Sequence, residues 1–169
     1  MKLALTTGIV LGASLAFCQT VAAPDKTFVA NAAMGGMMEV ELGKVAISKA
    51  QSEDVKKFGQ RMVDDHTKAN DALKQVASSK SITLPGEISA KQKAEVDKLS
   101  AMSGSAFDRA YMTMMVSDHK KDVAEFTKES TSAKDSDIKN FAATTLPTLK
   151  EHLQEAERVS GGLKASAAK

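Results

Sequence analysis

The feature that most constrains the fold is a helical stripe in the stretch 58–73, FGQRMVDDHTKANDAL. Its apolar residues, among them Phe58, Met62 and Leu73, recur at intervals of three and four positions. This spacing places them on one face of an α-helix. The position that follows Met62 on that face is occupied by His66. Other long segments carry comparable stripes, and each of the 3 histidines of the chain lies on a different stripe. The sequence therefore predicts helices that pack around a buried polar site.

The composition favours helices over strands. Alanine, lysine, serine, methionine and leucine are abundant, whereas the 169 residues include only 3 prolines, 1 tyrosine and no tryptophan. Runs of β-branched residues are short as well, so an all-α domain is expected. The length that remains after a short leader suits one domain with a single hydrophobic core.

Turn signals divide the chain into helices. Pro85–Gly86 marks a loop over residues 81–87, and short breaks near residues 51 and 134 join the first and the last pair of long helices. Short connections favour antiparallel neighbours. The sequence thus predicts a four-helix bundle with one additional short helix, in a domain that spans residues 27–160. The expected helices cover residues 27–50, 53–79, 90–102, 106–131 and 136–159.

Several polar residues are suited to cap these helices. Asp25 or Thr27 fits the start of the first long helix, and Ser52 fits that of the second. Ser105, with Asp108 three positions later, resembles a capping box at the start of the third long helix. Each residue offers a side-chain oxygen to the free backbone N–H groups of a first turn.

Glycine and proline residues make three further predictions. Gly35–Gly36, inside the first helix, indicates close approach by a neighbouring helix. Pro147 is expected to kink the last helix. Gly161–Gly162 is expected to end that helix, which leaves residues 161–169 as a disordered tail.

The N-terminus has the layout of a secretory signal peptide. Lys2 precedes a mostly apolar run over residues 3–17, and small residues follow at positions 21–23. The apolar run is short for a membrane span. We therefore expect residues 1–22 to be a signal peptide and the protein to cross the inner membrane. The expected location is the periplasm or an association with the outer membrane.

The single cysteine, Cys18, lies inside this leader. A lipid anchor at Cys18 is an alternative, although Phe17 stands where such a site normally has a small residue. If residues 1–22 are removed, the mature chain has no cysteine and therefore neither disulfides nor thiolate ligands. Removal of the leader takes Lys2 from the 23 basic residues, which leaves 22 basic and 21 acidic residues. Charges of both signs are mixed along the chain, so no nucleic-acid partner is expected. No second long apolar segment predicts a transmembrane span, and no feature indicates a particular protein partner.

Acidic residues of the first helix join the histidines as candidate site residues. His66, His119 and His152 face inward on the other three long helices, and either Glu39 or Glu41 faces inward on the first. With a rise of 1.5 Å per residue, Glu39 lies about 18 Å and His66 about 22 Å from the turn that joins their helices. His119 and His152 lie about 22 Å and about 27 Å from the turn between theirs. If both turns lie at the same end of the bundle, these four side chains fall within about 9 Å of one level and are expected to converge.

Three neutral imidazoles and a carboxylate suit one divalent transition metal. Zinc fits this set best, and Mn, Fe, Ni or Cu also fits. The acidic residues directly before the histidines, Asp65, Asp118 and Glu151, are rotated by about 100° around their helices. They are expected to be solvated or to support the ligands from outside.

Two other functions are compatible with the same residues. The histidines can form a hydrogen-bond network in the core of a structural or interaction protein. Alternatively, the metal can belong to an enzyme with an open coordination position, of unknown reaction and catalytic residues. A di-iron carboxylate centre is disfavoured because the chain contains no Glu-x-x-His. The common nucleophile and phosphate-loop motifs are missing as well.

Four segments of the chain also resemble a known family as a set. They are GGMMEVELGK at 35–44, QRMVDDHTKAN at 60–70, AFDRAYM at 106–112 followed by His119, and TLPTLKEHL at 145–153. Together they resemble the secreted bacterial family called domain of unknown function 4142. This resemblance implies an exported, ferritin-like four-helix bundle and brings no established reaction. The positions that match the motif residues of the family are Glu39, His66, His119 and His152. The expected role is metal handling or envelope stress tolerance.

Overall fold

The computed structural model describes residues 20–167, which form five α-helices and no strand. The helices are α1 (Ala23–Lys49), α2 (Glu53–Ser79), α3 (Ala90–Ser100), α4 (Gly104–Ser132) and α5 (Ser136–Ala167). The prediction of an all-α four-helix bundle with one additional short helix is therefore confirmed. None of these helices is long and apolar enough to cross a membrane. The signal peptide predicted for residues 1–22 lies almost entirely outside the described residues and stays a prediction.

The bundle is built from two helical hairpins. Helix α1 packs along α2, and α4 packs along α5, while the short helix α3 lies against α1 and α4. The two hairpins meet where α1 contacts α4 and where α2 contacts α5. Each long helix thus turns one face towards a common centre.

The buried Asp108 joins the second hairpin to the first. It lies near the start of α4, and its Oδ1 accepts a hydrogen bond of 3.0 Å from the backbone N–H of Gln51. Its Oδ2 accepts a second bond of 2.9 Å from the backbone N–H of Ser52. Both donors belong to the turn between α1 and α2, so the start of α4 lies at that end of the bundle.

The buried Asp25 makes the equivalent contact at the opposite end. Its Oδ2 accepts hydrogen bonds from the backbone N–H groups of Lys134 and Asp135, at 2.9 and 2.8 Å, in the turn between α4 and α5. Asp25 lies in the first turn of α1, whose 27 residues span about 40 Å. The two hairpin turns therefore lie at opposite ends of the bundle, and the assumption that they share one end is wrong. The interval in sequence from Asp25 to Asp108 equals the interval from the first hairpin turn to the second.

These contacts correct two predicted caps. Helix α1 begins at Ala23, before Asp25, because Pro24 suits a first turn, and no side chain caps it. Helix α4 begins at Gly104, and the expected capping box of Ser105 with Asp108 is not formed because the carboxylate binds the distant turn. Ser52 does occupy the N-cap position of α2, although its side chain makes no capping hydrogen bond. A side-chain capping box does form at α3, between Ser89 and Gln92.

The C-terminal end of α5 also differs from the prediction. The helix continues through Gly161–Gly162 to Ala167, so the expected end at this glycine pair is wrong and residues 161–167 are helical rather than a disordered tail. Two helical glycines cost about 1 kcal/mol each. Leu163, one position later, packs against the hydrophobic core and offsets this cost. Pro147 lies inside α5, which continues on both sides of it.

Close backbone approach between α1 and α2 occurs at a glycine pair that the sequence analysis did not single out. A Cβ atom on Gly43 would lie 2.6 Å from the carbonyl oxygen of Gly59, so only glycine fits there. The close approach predicted at Gly35–Gly36 holds for Gly36 alone, where a Cβ would lie 2.1 Å from Asn70 Oδ1. A Cβ on Gly35 would meet nothing within 4 Å.

The hydrophobic core is divided into two clusters along the bundle axis. One cluster includes Phe58, Met62, Tyr111 and Met115, and the other includes Leu73, Phe126, Phe141 and Leu149. In α2 and α4 the residue that lies between the clusters is a histidine, and α5 and α1 contribute a histidine and a glutamate at the same level. The bundle thus has a polar layer at mid-height.

Candidate metal centre

The polar layer consists of one residue from each long helix. Glu39, His66, His119 and His152 are all buried, with 4, 6, 0 and 1% of their surface exposed. The ring centroids of the three imidazoles lie 5.3 to 5.9 Å apart. One nitrogen from each ring lies within 4.8 Å of the others. The four predicted site residues are therefore brought together, and the exposed Glu41 is not among them.

Convergence occurs although the hairpin turns lie at opposite ends. Each of the four residues is near the middle of a helix of 27 to 32 residues. A residue at mid-height has nearly the same level whether it is measured from one end or the other. The predicted depths therefore hold for a reason other than the one that was assumed.

Glu39 is in contact with two of the imidazoles. Its Oε2 lies 2.6 Å from His66 Nε2, without the alignment of a hydrogen bond. Its Oε1 lies 3.5 Å from His119 Nδ1. The carboxylate is therefore a close ionic neighbour of both His66 and His119.

Two histidines have one ring nitrogen engaged and the other free. His119 Nδ1 donates to the carbonyl oxygen of Met115 at 2.9 Å, which leaves Nε2 with its lone pair. His152 Nε2 lies 3.0 Å from Asp65 Oδ2 and donates to that carboxylate, which leaves Nδ1 with its lone pair. Histidines that bind metals are oriented in this way by a carbonyl or carboxylate on the other nitrogen.

Four buried atoms in this layer have no hydrogen-bond partner among the described residues. They are Glu39 Oε1, His66 Nε2, His119 Nε2 and His152 Nδ1. Buried polar atoms are nearly always paired, and leaving one unpaired costs about 1 to 3 kcal/mol. Each of the four is an atom type that binds divalent transition metals. The donor set therefore fits a metal ion.

Asp65 lies between the ring of His152 and the guanidinium group of Arg61. Arg61 Nε lies 3.3 Å from Asp65 Oδ2, and its two terminal nitrogens lie 2.7 Å from carboxylate oxygens of Glu151 and Glu155. Asp65 thus fixes the ring of His152 on α5 rather than that of its sequence neighbour His66. Glu151, predicted to lie outside the ligand set, is engaged by Arg61.

The charges in the layer are strongly coupled. Burial alone would raise the pKa of Glu39, but the neighbouring His66 and His119 outweigh it and lower the pKa to about 2. Burial would lower the pKa of His66, but the charge of Glu39 raises it. Burial lowers the pKa of His152 to about 4, despite its bond to Asp65. At neutral pH the layer therefore holds an ionised carboxylate and a neutral His152, and Glu39 favours the protonated form of His66, which would lose its proton when a metal binds.

The chain matches the family described as Domain of unknown function (DUF4142) over residues 13–159. It belongs to this family. Among solved structures, a DUF305 fragment from Deinococcus radiodurans is similar in fold, with a TM-score of 0.73 and 15% sequence identity. The similarity covers 83% of this chain and 97% of the fragment. No curated protein matches the chain. The resemblance to DUF4142 is thus confirmed, and the structural similarity supports the fold alone.

Two further residues of this DUF4142 protein lie near the site, and one of them, Asp122, was missed by the sequence analysis. Asp122 lies one turn after His119 and lines a small cavity together with Glu39. Burial and the charge of Glu39 raise the pKa of Asp122 well above its usual range. Tyr111 is fully buried, and its hydroxyl has no hydrogen-bond partner among residues 20–167. Burial and the charge of Glu39 raise its pKa as well.

An open groove leads from the surface of the DUF4142 bundle to this layer. It has a volume of about 630 Å³ and lies between α1, α3 and α4. Its lining includes Met38, Met102 and Met114 on the walls, together with Glu39 and Asp122. Glu39 is therefore the residue of the polar layer that borders this groove, on the side of the short helix.

Proposed function

We propose that this DUF4142 protein binds one transition-metal ion through His66, His119 and His152, with Glu39 as the fourth ligand. The observation that carries the proposal is the convergence of three buried imidazoles, each with a ring nitrogen within 4.8 Å of the others, beside the buried carboxylate of Glu39. Zinc fits three imidazoles and a carboxylate best, and Mn, Fe, Ni or Cu fits the same donors. A bound ion would supply Lewis acidity at the centre of the bundle.

The surrounding residues of the chain hold the ligands in place. Met115 and Asp65 orient the rings of His119 and His152, and Arg61 in turn holds Asp65. Such outer contacts typically change metal affinity by 10- to 100-fold. Together with the predicted export of the chain, this rigid and buried site favours a role in metal handling or envelope stress tolerance.

A second candidate function is a metalloenzyme of unknown reaction. The open groove favours it, because Glu39 is among the residues that line both the groove and the polar layer. A ligand in the groove would therefore approach the metal from the side of α3. A core hydrogen-bond network without metal is supported less well, because such a network would pair the four atoms that have no partner.

The test is metal content by elemental mass spectrometry. The mature chain, purified without chelator or added metal, is expected to carry about one transition-metal ion at the imidazole cluster. His66→Ala and His152→Ala are expected to lose it. Asp64→Asn is the matched control, because Asp64 is next to Asp65 but its side chain bonds to the exposed Gln60.

The proposal fails if the wild-type chain carries no metal and its melting temperature does not rise when Zn, Mn, Fe(II) or Cu is added. It also fails if the histidine variants keep a full complement of metal. Either result would favour the core-network function and a search for protein partners.

A further inference from the structure

We propose that Met102 and Met114 are sites of oxidation by hydroperoxides, and that their oxidation releases the short helix α3 from the bundle. Both side chains line the open groove between α1, α3 and α4. The inference goes beyond the proposed metal binding and does not depend on it. It makes α3 an oxidant-sensitive element of the fold.

The methionines of the described chain differ in their access to solvent. Met62, Met112 and Met115 are fully buried, with 0% of their surface exposed. Met102 and Met114 are only half-buried, although both pack against the hydrophobic core. Oxidation of a methionine depends on access of the oxidant to its sulfur. Peroxide is therefore expected to reach the two groove methionines well before the three buried ones.

The groove gives a small oxidant room to approach both side chains. Its volume is about 630 Å³, and its lining combines methionines with charged and polar residues. Met102 lies in the connection between α3 and α4, Met114 lies on α4, and Met38 lies on α1. Met38 is buried, with 6% of its surface exposed. Among the three methionines of the groove, Met102 and Met114 are thus the first targets.

The reaction is a two-electron transfer of oxygen. The thioether sulfur attacks one oxygen of hydrogen peroxide, an S–O bond forms and the O–O bond breaks. The proton of the transferred oxygen passes to the other oxygen, which leaves as water. The sulfur is oxidised to a sulfoxide and the peroxide is reduced, so a flexible apolar side chain becomes a polar one. Methionine sulfoxide reductases reverse this change.

Helix α3 depends on packing for its stability. It has 11 residues, and isolated helices shorter than about 12 to 15 residues are marginal in water. Its buried residues are Val96 and Leu99. Met102 follows Leu99 by three positions and packs against the same core cluster as both of them. These three residues therefore form the short apolar stripe that holds α3 on the bundle.

Sulfoxides at Met102 and Met114 would weaken this contact. A polar oxygen placed against an apolar core is unfavourable unless it finds a hydrogen-bond donor or reaches water. The connections on both sides of α3 leave the helix free to move outwards. A loop over residues 80–89 precedes it, and Gly104, with a φ of 61°, follows it at the start of α4. Oxidation is therefore expected to detach α3 while the four long helices stay packed.

The test is treatment of the mature chain with hydrogen peroxide, followed by peptide mass spectrometry and by amide hydrogen exchange of residues 90–100. Met102 and Met114 are expected to form sulfoxides at least about tenfold faster than Met62. Amide exchange in α3 is then expected to become at least about tenfold faster, while exchange at the centres of the long helices stays unchanged.

Two double variants connect the oxidation with the release of α3. Met102→Leu combined with Met114→Leu removes both sulfur atoms and keeps apolar side chains of similar volume, a change that cores tolerate well. Its α3 amides should keep their slow exchange after peroxide treatment. The matched control combines Met34→Leu with Met37→Leu, because Met34 and Met37 are half-buried but do not line the groove. After peroxide treatment its α3 should exchange as fast as that of the wild type.

Three results would overturn the inference. The first is oxidation of Met102 and Met114 no faster than that of Met62. The second is sulfoxide at both groove methionines with unchanged exchange in α3. The third is faster exchange in α3 after peroxide treatment of the variant that lacks both sulfur atoms. None of these results depends on whether the histidine centre binds a metal.

Discussion

Asp108→Ala tests how the two hairpins are held together. Asp108 is 2% exposed and accepts two backbone hydrogen bonds, from Gln51 and Ser52, which lie far from it in the sequence. Hydrogen bonds to a charged group contribute about 1.5 to 3 kcal/mol each. Water can partly replace the carboxylate at the exposed Gln51, so we expect the free energy of unfolding to fall by about 3 kcal/mol rather than by the full sum.

The assay is equilibrium unfolding in urea, with thermal unfolding as a second measurement. A loss of about 3 kcal/mol corresponds to a fall in melting temperature of about 6 to 12 °C for a domain of this size. Asp25→Ala is expected to behave alike, because it makes the equivalent contact at the other end. Asp71→Ala is the control, since Asp71 is exposed and forms a surface ion pair with Lys74, and it should change stability by less than about 0.5 kcal/mol.

The reasoning would be refuted by an Asp108→Ala protein whose stability lies within about 1 kcal/mol of the wild type. It would then follow that the contacts of the helix faces alone hold α4 against the first hairpin. Asp108→Asn refines the result. The amide keeps one acceptor oxygen and turns an NH₂ group towards the other donor, so it should restore no more than about half of the loss.

Three further predictions concern the polar layer and the α1–α2 contact. Asp65→Asn should weaken zinc binding by about 10- to 100-fold in a competition titration, because it loosens the ring of His152, whereas Asp64→Asn should leave it unchanged. The pKa of His152 is lowered from 6.5 to about 4 in the folded chain, so protonation of this side chain favours unfolding. The metal-free protein should therefore lose about 3 kcal/mol of stability through this group as the pH falls from 6.5 to 4. His152→Asn should lose less over that pH range in urea titrations, and an equal loss in both proteins would contradict the assignment. Gly59→Ala should destabilise the bundle by about 1 to 3 kcal/mol in thermal unfolding, because its Cβ would lie 2.8 Å from Ala46 Cβ, whereas Gly35→Ala should not.

The inward positions of the site residues follow from the sequence alone because they depend on a local rule. The spacing of three and four residues assigns His66 and His119 to buried faces, whatever the arrangement of the helices. The relative position of the two hairpin turns has no such local signal. It depends on Asp25 and Asp108, whose partners lie far away in sequence, and a local capping rule assigned both residues to their own helix ends.

Asp122 and the C-terminal end of α5 were missed because tertiary packing decides their structure. Asp122 carries a charge among other charged residues, and charged residues usually lie on a solvated face. Asp122 lines an internal cavity because it lies one turn from His119 and faces α1. The packing of α1 against α4 brings it there, and no local sequence signal shows this contact. The helical end of α5 was missed because the tertiary contact of Leu163 overrides the weak local preference of Gly161–Gly162. The interval that relates Asp25 to Asp108 also relates Glu39 to Asp122, and this repeat in the sequence could have pointed to Asp122.

X-ray absorption spectroscopy of the zinc-loaded mature chain tests the central claim most directly. About three imidazole nitrogens at about 2.0 to 2.1 Å and one carboxylate oxygen are expected around a single tightly bound ion. The imidazole signal should diminish in His119→Ala. A chain that binds no zinc, or a zinc ion surrounded by oxygen atoms alone, would contradict the assignment of His66, His119, His152 and Glu39 as a metal centre.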